Sequence, residues 1–386
     1  MRKVILGLLV VGVSALTTCK GDKDKETSSV TVRQISDMAD LFGGTDAVGG
    51  IGDWYLANDV VEVIIDDVNN QNGLSASGGN LIDYALKDKD NDQFNEMFQV
   101  FMISQSLPLY YDTISSTSSA ESATIKVSGY VFSANPDNET ITLAIGQNLK
   151  VETTYTLKSG DTNLYVSTTL TNTNADPISS GFGTPITDIF IWGKRSALPF
   201  GSFAGRGWNH PTLDVSNPVA ALGAFPFIAA HSEVEPEVSY GVAAPQNNLG
   251  QVYGVNDDQL SGVGTTPAGS ALKQGDSITY HRTLFIADKN NIEAITSQAL
   301  NYLHQELPAR YKKPGQLSSS ISGLGAGRTA HVVVFKPGTQ ATEGLDQGDT
   351  PANAHRLSED GAFSMTLRPG DYRLQINVGT MEPIVS

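Results

Sequence analysis

The densest group of aromatic and polar side chains lies in the segment 186–211, ITDIFIWGKRSALPFGSFAGRGWNHP. Trp192, Arg206, Trp208 and His210 fall here, and four glycines make the segment loop-like. An indole ring can cover the apolar C–H face of a sugar, while guanidinium and imidazole groups bond its hydroxyls. The pattern therefore predicts a ligand-binding loop with Trp208 exposed. The alternative is that the tryptophans fill the core, as we expect for Trp192, which follows an apolar run.

The remaining residues with reactive side chains form no recognisable catalytic motif. The six histidines are His210, His231, His281, His304, His331 and His355, and no two lie within ten positions. Metal sites of the HxH or HExxH type, a G-x-S-x-G elbow and a phosphate loop are all absent from the sequence. We therefore predict no catalytic residue, no metal ligand and no cofactor. Carboxylates are numerous, so a sugar-cleaving pair stays an open alternative.

One acidic run resembles the start of a calcium-binding loop. Asp88, Asp90 and Asp92 alternate as the first ligands of an EF-hand do. The sixth position of that loop is Gln93 instead of Gly, and the twelfth is Gln99 instead of Glu. The run is therefore predicted to be a solvated acidic turn.

Composition favours β-structure and argues against a nucleic-acid partner. The chain of 386 residues carries a formal net charge of −16, and an acidic surface repels phosphate backbones. Charged residues are only 17% of the chain, and its 38 glycines suit many turns between short strands. Length and composition together predict two or three domains with sizeable cores.

The first 19 residues predict a bacterial lipoprotein signal. Arg2 and Lys3 form a basic start, and the apolar segment 4–16 is too short to span a bilayer comfortably. Cys19 follows directly after Leu-Thr-Thr, which resembles a lipobox, in which the cysteine is lipidated and becomes the mature N-terminus. We expect a membrane partner through this anchor and an envelope location, at the outer membrane on its periplasmic or surface face.

A secreted or periplasmic protein, cut from an ordinary signal near Ala15, is the alternative. Cys19 is the only cysteine, so an intramolecular disulfide and a thiolate metal site are both excluded. The segment 20–30 begins KGDKDKETSS and is predicted to be a disordered tether.

Short runs of alternating apolar and polar residues predict antiparallel strands. These runs are 60–65, 123–132, 139–145, 149–157 and 164–170. Gly78 and Gly79 predict a turn through positive φ or a close approach to another segment. Apolar residues at helical spacing predict one amphipathic helix over 291–305, packed on the strands.

Two stretches resemble known families. GDWYLANDVVEVII at 52–65, followed by SGGNLID at 77–83, is similar to the N-terminal region of CehA/McbA-type metallohydrolases. That resemblance implies a large supersandwich like that of galactose mutarotase. The segments 360–367 and 373–378, joined by Pro-Gly-Asp-Tyr, are predicted to form a hairpin, and DGAFSMTLRPGDY at 360–372 is similar to carboxypeptidase-regulatory-like domains, which are small β-sandwiches. The predicted fold class is therefore all-β, with an antiparallel supersandwich at 31–307, a linker at 308–322 and a small Ig-like sandwich at 323–386.

The resemblance leaves three functions open, because the metal-hydrolase domain of the family is absent from the sequence. The leading prediction is a lipid-anchored envelope protein with a non-catalytic binding or scaffold role, with carbohydrate as a candidate partner. The second is an accessory portion of a CehA/McbA-type metallohydrolase whose metal domain is lost, truncated or encoded separately, and an HxH segment in the downstream reading frame would favour it. A mutarotase-like or lyase-like carbohydrate enzyme is the third. Oligomeric state stays open.

Overall fold

The structure is a computed structural model. It describes residues 30–101, 108–131, 149–175, 177, 186–192, 196–197, 227–232, 236–244, 249–253, 260–265, 272–288, 292–323, 330–336, 350–357 and 361–378. Trp208, Arg206, His210, Cys19 and the run 139–145 lie outside these residues.

In the described residues, sixteen strands form two large sheets. They are β1 (Thr31–Gln34), β2 (Trp54–Ala57), β3 (Val61–Ile65), β4 (Leu81–Leu86), β5 (Phe94–Phe101), β6 (Leu109–Ser118), β7 (Ser122–Val131), β8 (Leu149–Lys158), β9 (Leu164–Asn172), β10 (Ile186–Trp192), β11 (Ser196–Ala197), β12 (Phe227–Ser232), β13 (Ser239–Ala243), β14 (Leu249–Tyr253), β15 (Leu260–Thr265) and β16 (Ser277–Ala287). The first sheet has the order β1-β2-β3-β4-β5-β10-β15-β14, and the second has the order β11-β12-β13-β16-β9-β8-β7-β6. All pairs of neighbouring strands are antiparallel, which confirms the predicted fold class.

The main core lies between these two sheets. Alternate residues of β8 and β9 are buried, because successive side chains of a strand point to opposite faces. Their apolar members join residues of β3, β5 and β10 in one buried cluster. The alternation read from the sequence therefore gives the correct inward face of both strands.

The paired glycines behave as predicted. Gly79 has a φ of +91°, and a Cβ on Gly78 would lie 1.8 Å from the carbonyl oxygen of Asp67. The predicted positive φ is therefore confirmed at Gly79, and the predicted close approach to another segment is confirmed at Gly78.

The helix α1 (Ile292–Glu306) covers part of the outer face of the second sheet. Ile295, Ala299 and Leu303 pack against Phe227 of β12 and Phe285 of β16. The predicted helix is thus confirmed to within one residue at each end, together with its packing on the strands.

In the described part of residues 308–378, five further strands form two small sheets. They are β17 (Gly315–Ser320), β18 (Ala330–Lys336), β19 (Thr350–Arg356), β20 (Ala362–Leu367) and β21 (Arg373–Val378). The prediction that 360–367 and 373–378 form a hairpin is wrong, since β20 pairs with β17 and β21 pairs with β18. Pro369 lacks a backbone N–H, and with Gly370 it carries the chain from one sheet to the other. The segment 308–322 contains β17, a strand absent from the sequence prediction.

An ion pair lies inside the main core. Arg282 of β16 and Asp188 of β10 are both fully buried, and two guanidinium nitrogens each lie 2.8 Å from a carboxylate oxygen. Arg282 also donates to the carbonyl oxygen of Tyr280 and to the Thr168 hydroxyl. The pair therefore joins the two sheets through one hydrogen bond, from Nη2 to Oδ1, and one further ion-pair contact between Nε and Oδ2.

Neutral polar side chains extend this network. The Tyr111 hydroxyl donates to Gln99 Oε1 at 2.7 Å, and the Thr153 hydroxyl lies within 2.9 Å of both Tyr111 and Thr168. These side chains belong to four strands of both sheets. Because the three hydroxyls and Gln99 Oε1 are bonded to one another, the core tolerates the burial of these groups.

Candidate functional site

The side chains that the sequence singled out are not placed by the structure. Trp208, Arg206 and His210 lie outside the described residues. Trp192 ends β10 opposite Phe94, and its side chain is likewise outside the described part of the chain. The predicted binding loop therefore stays a prediction, and the core position expected for Trp192 is untested.

The described residues bring polar chemistry together on the outer face of the second sheet. The outward residues of β8 and β9 are mainly threonine, serine, lysine and tyrosine. Hydroxyls pair across the strands, as at Thr154 with Ser167 (2.8 Å) and Thr169 with Thr279 (2.8 Å). Threonine suits a pleated surface, and cross-strand hydroxyl pairs stabilise it. Each hydroxyl still has capacity for another bond, so the face can bond further polar groups.

A groove lies where α1 stops covering this face. Its volume is about 370 Å³, which is within the range of small-molecule sites. It is lined by Thr154, Thr156, Lys158, Tyr165, Val166, Ser167, His281, Arg282, Thr283, Tyr302 and Glu306. β8, β9 and β16 supply its floor and the last turns of α1 supply one wall.

Two tyrosines line this groove, of which Tyr165 is partly exposed and Tyr302 is buried, with 7% of its surface exposed. The rings of Tyr165 and Tyr302 have centroids 6.4 Å apart and planes tilted by 54°. The Tyr302 hydroxyl accepts from the Thr283 hydroxyl at 2.7 Å. Burial raises the pKa of the Tyr302 hydroxyl to about 12. The ammonium of Lys158 lies 4.1 Å from the centre of the Tyr165 ring. A ligand that stacks on the covered face of Tyr165 must displace this exposed lysine side chain.

One imidazole and one carboxylate complete the lining. Partial burial lowers the pKa of His281 below its ordinary value of 6.5, and Arg282 lowers it further, against the opposing effect of Glu306. His281 is therefore mainly neutral at pH 7, with one ring nitrogen able to donate and the other able to accept. Glu306 adds an acceptor. The groove thus offers donors and acceptors beside two aromatic rings.

Buried carboxyl groups elsewhere do not form a metal centre. Among the described residues, no group of three or more histidine, cysteine, aspartate or glutamate side chains could hold a metal ion. Burial raises the pKa of Asp66 to about 8 and that of Asp83 to about 7. Asp66 follows β3, and Asp83 lies within β4, where its carboxyl oxygens accept from the backbone N–H groups of Val48 and Gly49.

The acidic run at 88–92 is not one solvated turn. Asp88 has a positive φ, and its side chain is 84% exposed, as predicted. Asp92 is fully buried instead, because its carboxylate accepts from the backbone N–H groups of Tyr84 and Phe94. The prediction is therefore correct for the first residue and wrong for the last.

Comparison with known proteins gives no family. No protein-family model and no curated protein matches the chain. The assignment to CehA/McbA-type metallohydrolases therefore stays a prediction. Within the described residues, the one α-helix is neither long nor apolar enough to cross a membrane.

Galactose mutarotase-like proteins are among the solved structures that the chain resembles. One, from Lactobacillus casei ATCC 334, is 12% identical with a TM-score of 0.37, over 61% of this chain and all of that chain. A putative aldose 1-epimerase from Escherichia coli K12 is 11% identical with a TM-score of 0.33, over 59% and 96%. A TPR-domain containing protein from Parabacteroides distasonis ATCC 8503 is 12% identical with a TM-score of 0.36, and the match spans 61% of this chain and 47% of that chain. At these identities and TM-scores the likeness carries no information about function. The architecture of this chain rests on its own strand pairing.

Proposed function

We propose that the protein is a non-catalytic binding protein of the bacterial envelope, and that the groove beside α1 binds a carbohydrate. The observation that carries this proposal is the lining of the groove. The partly exposed ring of Tyr165 and the buried Tyr302 lie next to Thr154, Ser167 and other hydroxyls, a neutral imidazole and a carboxylate. Sugars present apolar C–H faces and a ring of hydroxyls, and these groups match both kinds of surface.

A threonine-rich outer face is also what a solvated strand requires. The groove differs from the rest of that face because α1 adds Tyr302 and Glu306, which no strand supplies. The charged side chains that face the groove are Lys158 and Glu306, since the Arg282 guanidinium is buried against Asp188, so the groove lacks the excess of positive charge that a polyanionic ligand would need. We therefore expect a neutral sugar.

Filling the groove should abolish binding. Ser167 lies on the groove floor, and Ser167→Arg places a long side chain where the ligand would lie. Thr117→Arg is the matched control, because Thr117 is exposed on edge strand β6 and does not line this groove. On a glycan array we expect the wild type and Thr117→Arg to share one profile, and Ser167→Arg to lose it.

A folding check accompanies this experiment. Thermal melts of both variants should match the wild type within a few degrees, and His281→Ala is the milder replacement if Ser167→Arg unfolds. We expect His281→Ala to weaken binding by about tenfold, the effect of one lost hydrogen bond of roughly 1.4 kcal/mol. A wild type that binds no glycan, or a Ser167→Arg protein with unchanged binding, would contradict the proposal.

We further propose that Cys19 anchors the protein in the membrane. Two or more acyl chains on one cysteine suffice for stable anchoring. The Cys19→Ala protein should therefore move to the aqueous phase of a detergent extract, whereas the wild type should stay in the detergent phase. A variant that still fractionates with membranes would exclude lipidation as the anchor.

A further inference from the structure

A second groove lies on the same outer face. Its volume is about 400 Å³, and it is lined by Asp112, Ser128, Gly129, Lys150, Val151, Glu152, Thr169 and Thr171. The first groove uses Thr154 of β8 and Ser167 of β9, which are the next outward positions along the same two strands. Positions two residues apart on a strand are separated by about 7 Å. The two grooves therefore adjoin each other across β8 and β9.

Local backbone structure shapes the far end of this second groove. The pairing of β6 with β7 shifts register between Tyr111 and Thr113, so Asp112 is an extra residue in a β-bulge. A Cβ on Gly129 would lie 1.8 Å from the carbonyl oxygen of Tyr110, so this close approach requires glycine. Asp112 at the bulge and Gly129 both line the second groove at its β6 and β7 end.

The two adjoining grooves together are called the track, and aromatic rings border both of its ends. Tyr165 lies at the α1 end, and Tyr110 and Tyr130 lie at the other, with ring centroids 5.2 Å apart. Both tyrosines of the second pair are partly exposed. From Lys150 to Lys158 the track follows β8 for roughly 26 Å, at about 3.3 Å per residue. That length exceeds what one sugar ring can occupy.

The charges along the track nearly cancel. Asp112, Glu152 and Glu306 oppose Lys150 and Lys158, and Glu152 is also paired with Lys126 at 3.2 Å. A polyanionic chain would need an excess of cations, so a neutral chain fits better.

We infer that the ligand is a linear, neutral oligosaccharide that lies across both grooves, instead of a single sugar or a chain end held beside α1. This inference rests on the proposed carbohydrate binding. It specifies the class of ligand, and it extends the binding site to the second groove.

The test is a titration with neutral oligosaccharides of increasing length. Cello-, laminari-, malto- and chito-oligosaccharides, from the disaccharide to the hexasaccharide, are titrated into the wild type by calorimetry. For the series that binds, we expect the dissociation constant to fall by about tenfold or more with length, since each added contact multiplies the affinity. Ser128→Arg, which fills only the second groove, should remove this gain and leave disaccharide binding unchanged.

The possible results distinguish failure of the oligosaccharide inference from failure of the proposed carbohydrate binding. Affinity that is independent of length beyond the disaccharide, or a Ser128→Arg protein that keeps the gain, would overturn the inference and leave carbohydrate binding intact. Failure of every series at every length would overturn both. Thr117→Arg serves as the control for an added arginine on this face, and Thr171→Arg replaces Ser128→Arg if that variant does not fold.

Discussion

Replacing Arg282 by methionine is expected to destabilise the protein by roughly 3–5 kcal/mol, because the change leaves a buried carboxylate without its partner. Asp188 is fully buried on β10, and its two oxygens each lie 2.8 Å from a nitrogen of Arg282. Removing the guanidinium also takes a donor from Thr168. Urea unfolding followed by circular dichroism measures the loss.

The double variant separates ion-pair energy from the cost of an orphaned charge. Arg282→Met with Asp188→Leu removes both charges, and it should be clearly more stable than Arg282→Met alone. The exposed pair of Lys126 and Glu152 is the matched control, and Lys126→Met should change stability by less than about 1 kcal/mol. An Arg282→Met protein as stable as the wild type would show that the pair does not hold the sheets together.

The free energy of unfolding is expected to fall as the pH rises from 5 to 8, because the first sheet buries carboxyl groups. Burial raises the pKa of Asp66 to about 8 and that of Asp83 to about 7. Asp66 Oδ2 is buried and has no hydrogen-bond partner among the described residues, while Oδ1 accepts from the backbone N–H of Asn80. A carboxyl group in this setting is favoured in its neutral form.

The sign follows from proton linkage. A raised pKa means that the folded state retains a proton that the unfolded chain has lost. The stabilisation is fully present below the ordinary carboxyl pKa of 3.8 and is lost as the pH rises through 7 to 8. Each retained proton contributes a slope of up to about 1.4 kcal/mol per pH unit.

Asp66→Asn imitates the protonated side chain and tests this directly. It should flatten the pH profile and leave the variant more stable than the wild type at pH 8, with a smaller difference at pH 5. Asp371→Asn, at an exposed position, should leave the profile unchanged. Wild-type stability that rises steadily between pH 5 and pH 8 would be inconsistent with neutral carboxyls in the fold.

The sequence predicted local structure well, because alternation and turn residues act over short distances. β8, β9 and α1 were placed to within one or two residues, as the inward aliphatic and outward threonine residues are visible in the chain. The order of strands was not predictable from these signals. β10 lies between β5 and β15, and its residue pattern does not indicate which strands pair with it.

Long-range chemistry was missed for the same reason. Asp188 and Arg282 each sit in a strand as single charged residues, and only the packing of two sheets makes them partners. The groove also needs Tyr165 and Tyr302, which come from a strand and a helix far apart in the chain. In the sequence, the signal for this groove is the hydroxyl-rich outward face of β8 and β9, while the predicted binding loop at 186–211 stays a prediction.

Lysine footprinting tests the central claim, that the outer face of the second sheet binds a carbohydrate. Lys158 lies in the first groove, while Lys89 and Lys312 are exposed outside both grooves. The protein is acetylated with and without a saturating oligosaccharide from the calorimetric series, and each lysine is quantified by mass spectrometry. The account predicts slower acetylation of Lys158 with the sugar bound, and unchanged rates at Lys89 and Lys312. An unchanged rate at Lys158 under saturation would place the sugar elsewhere and contradict the claim.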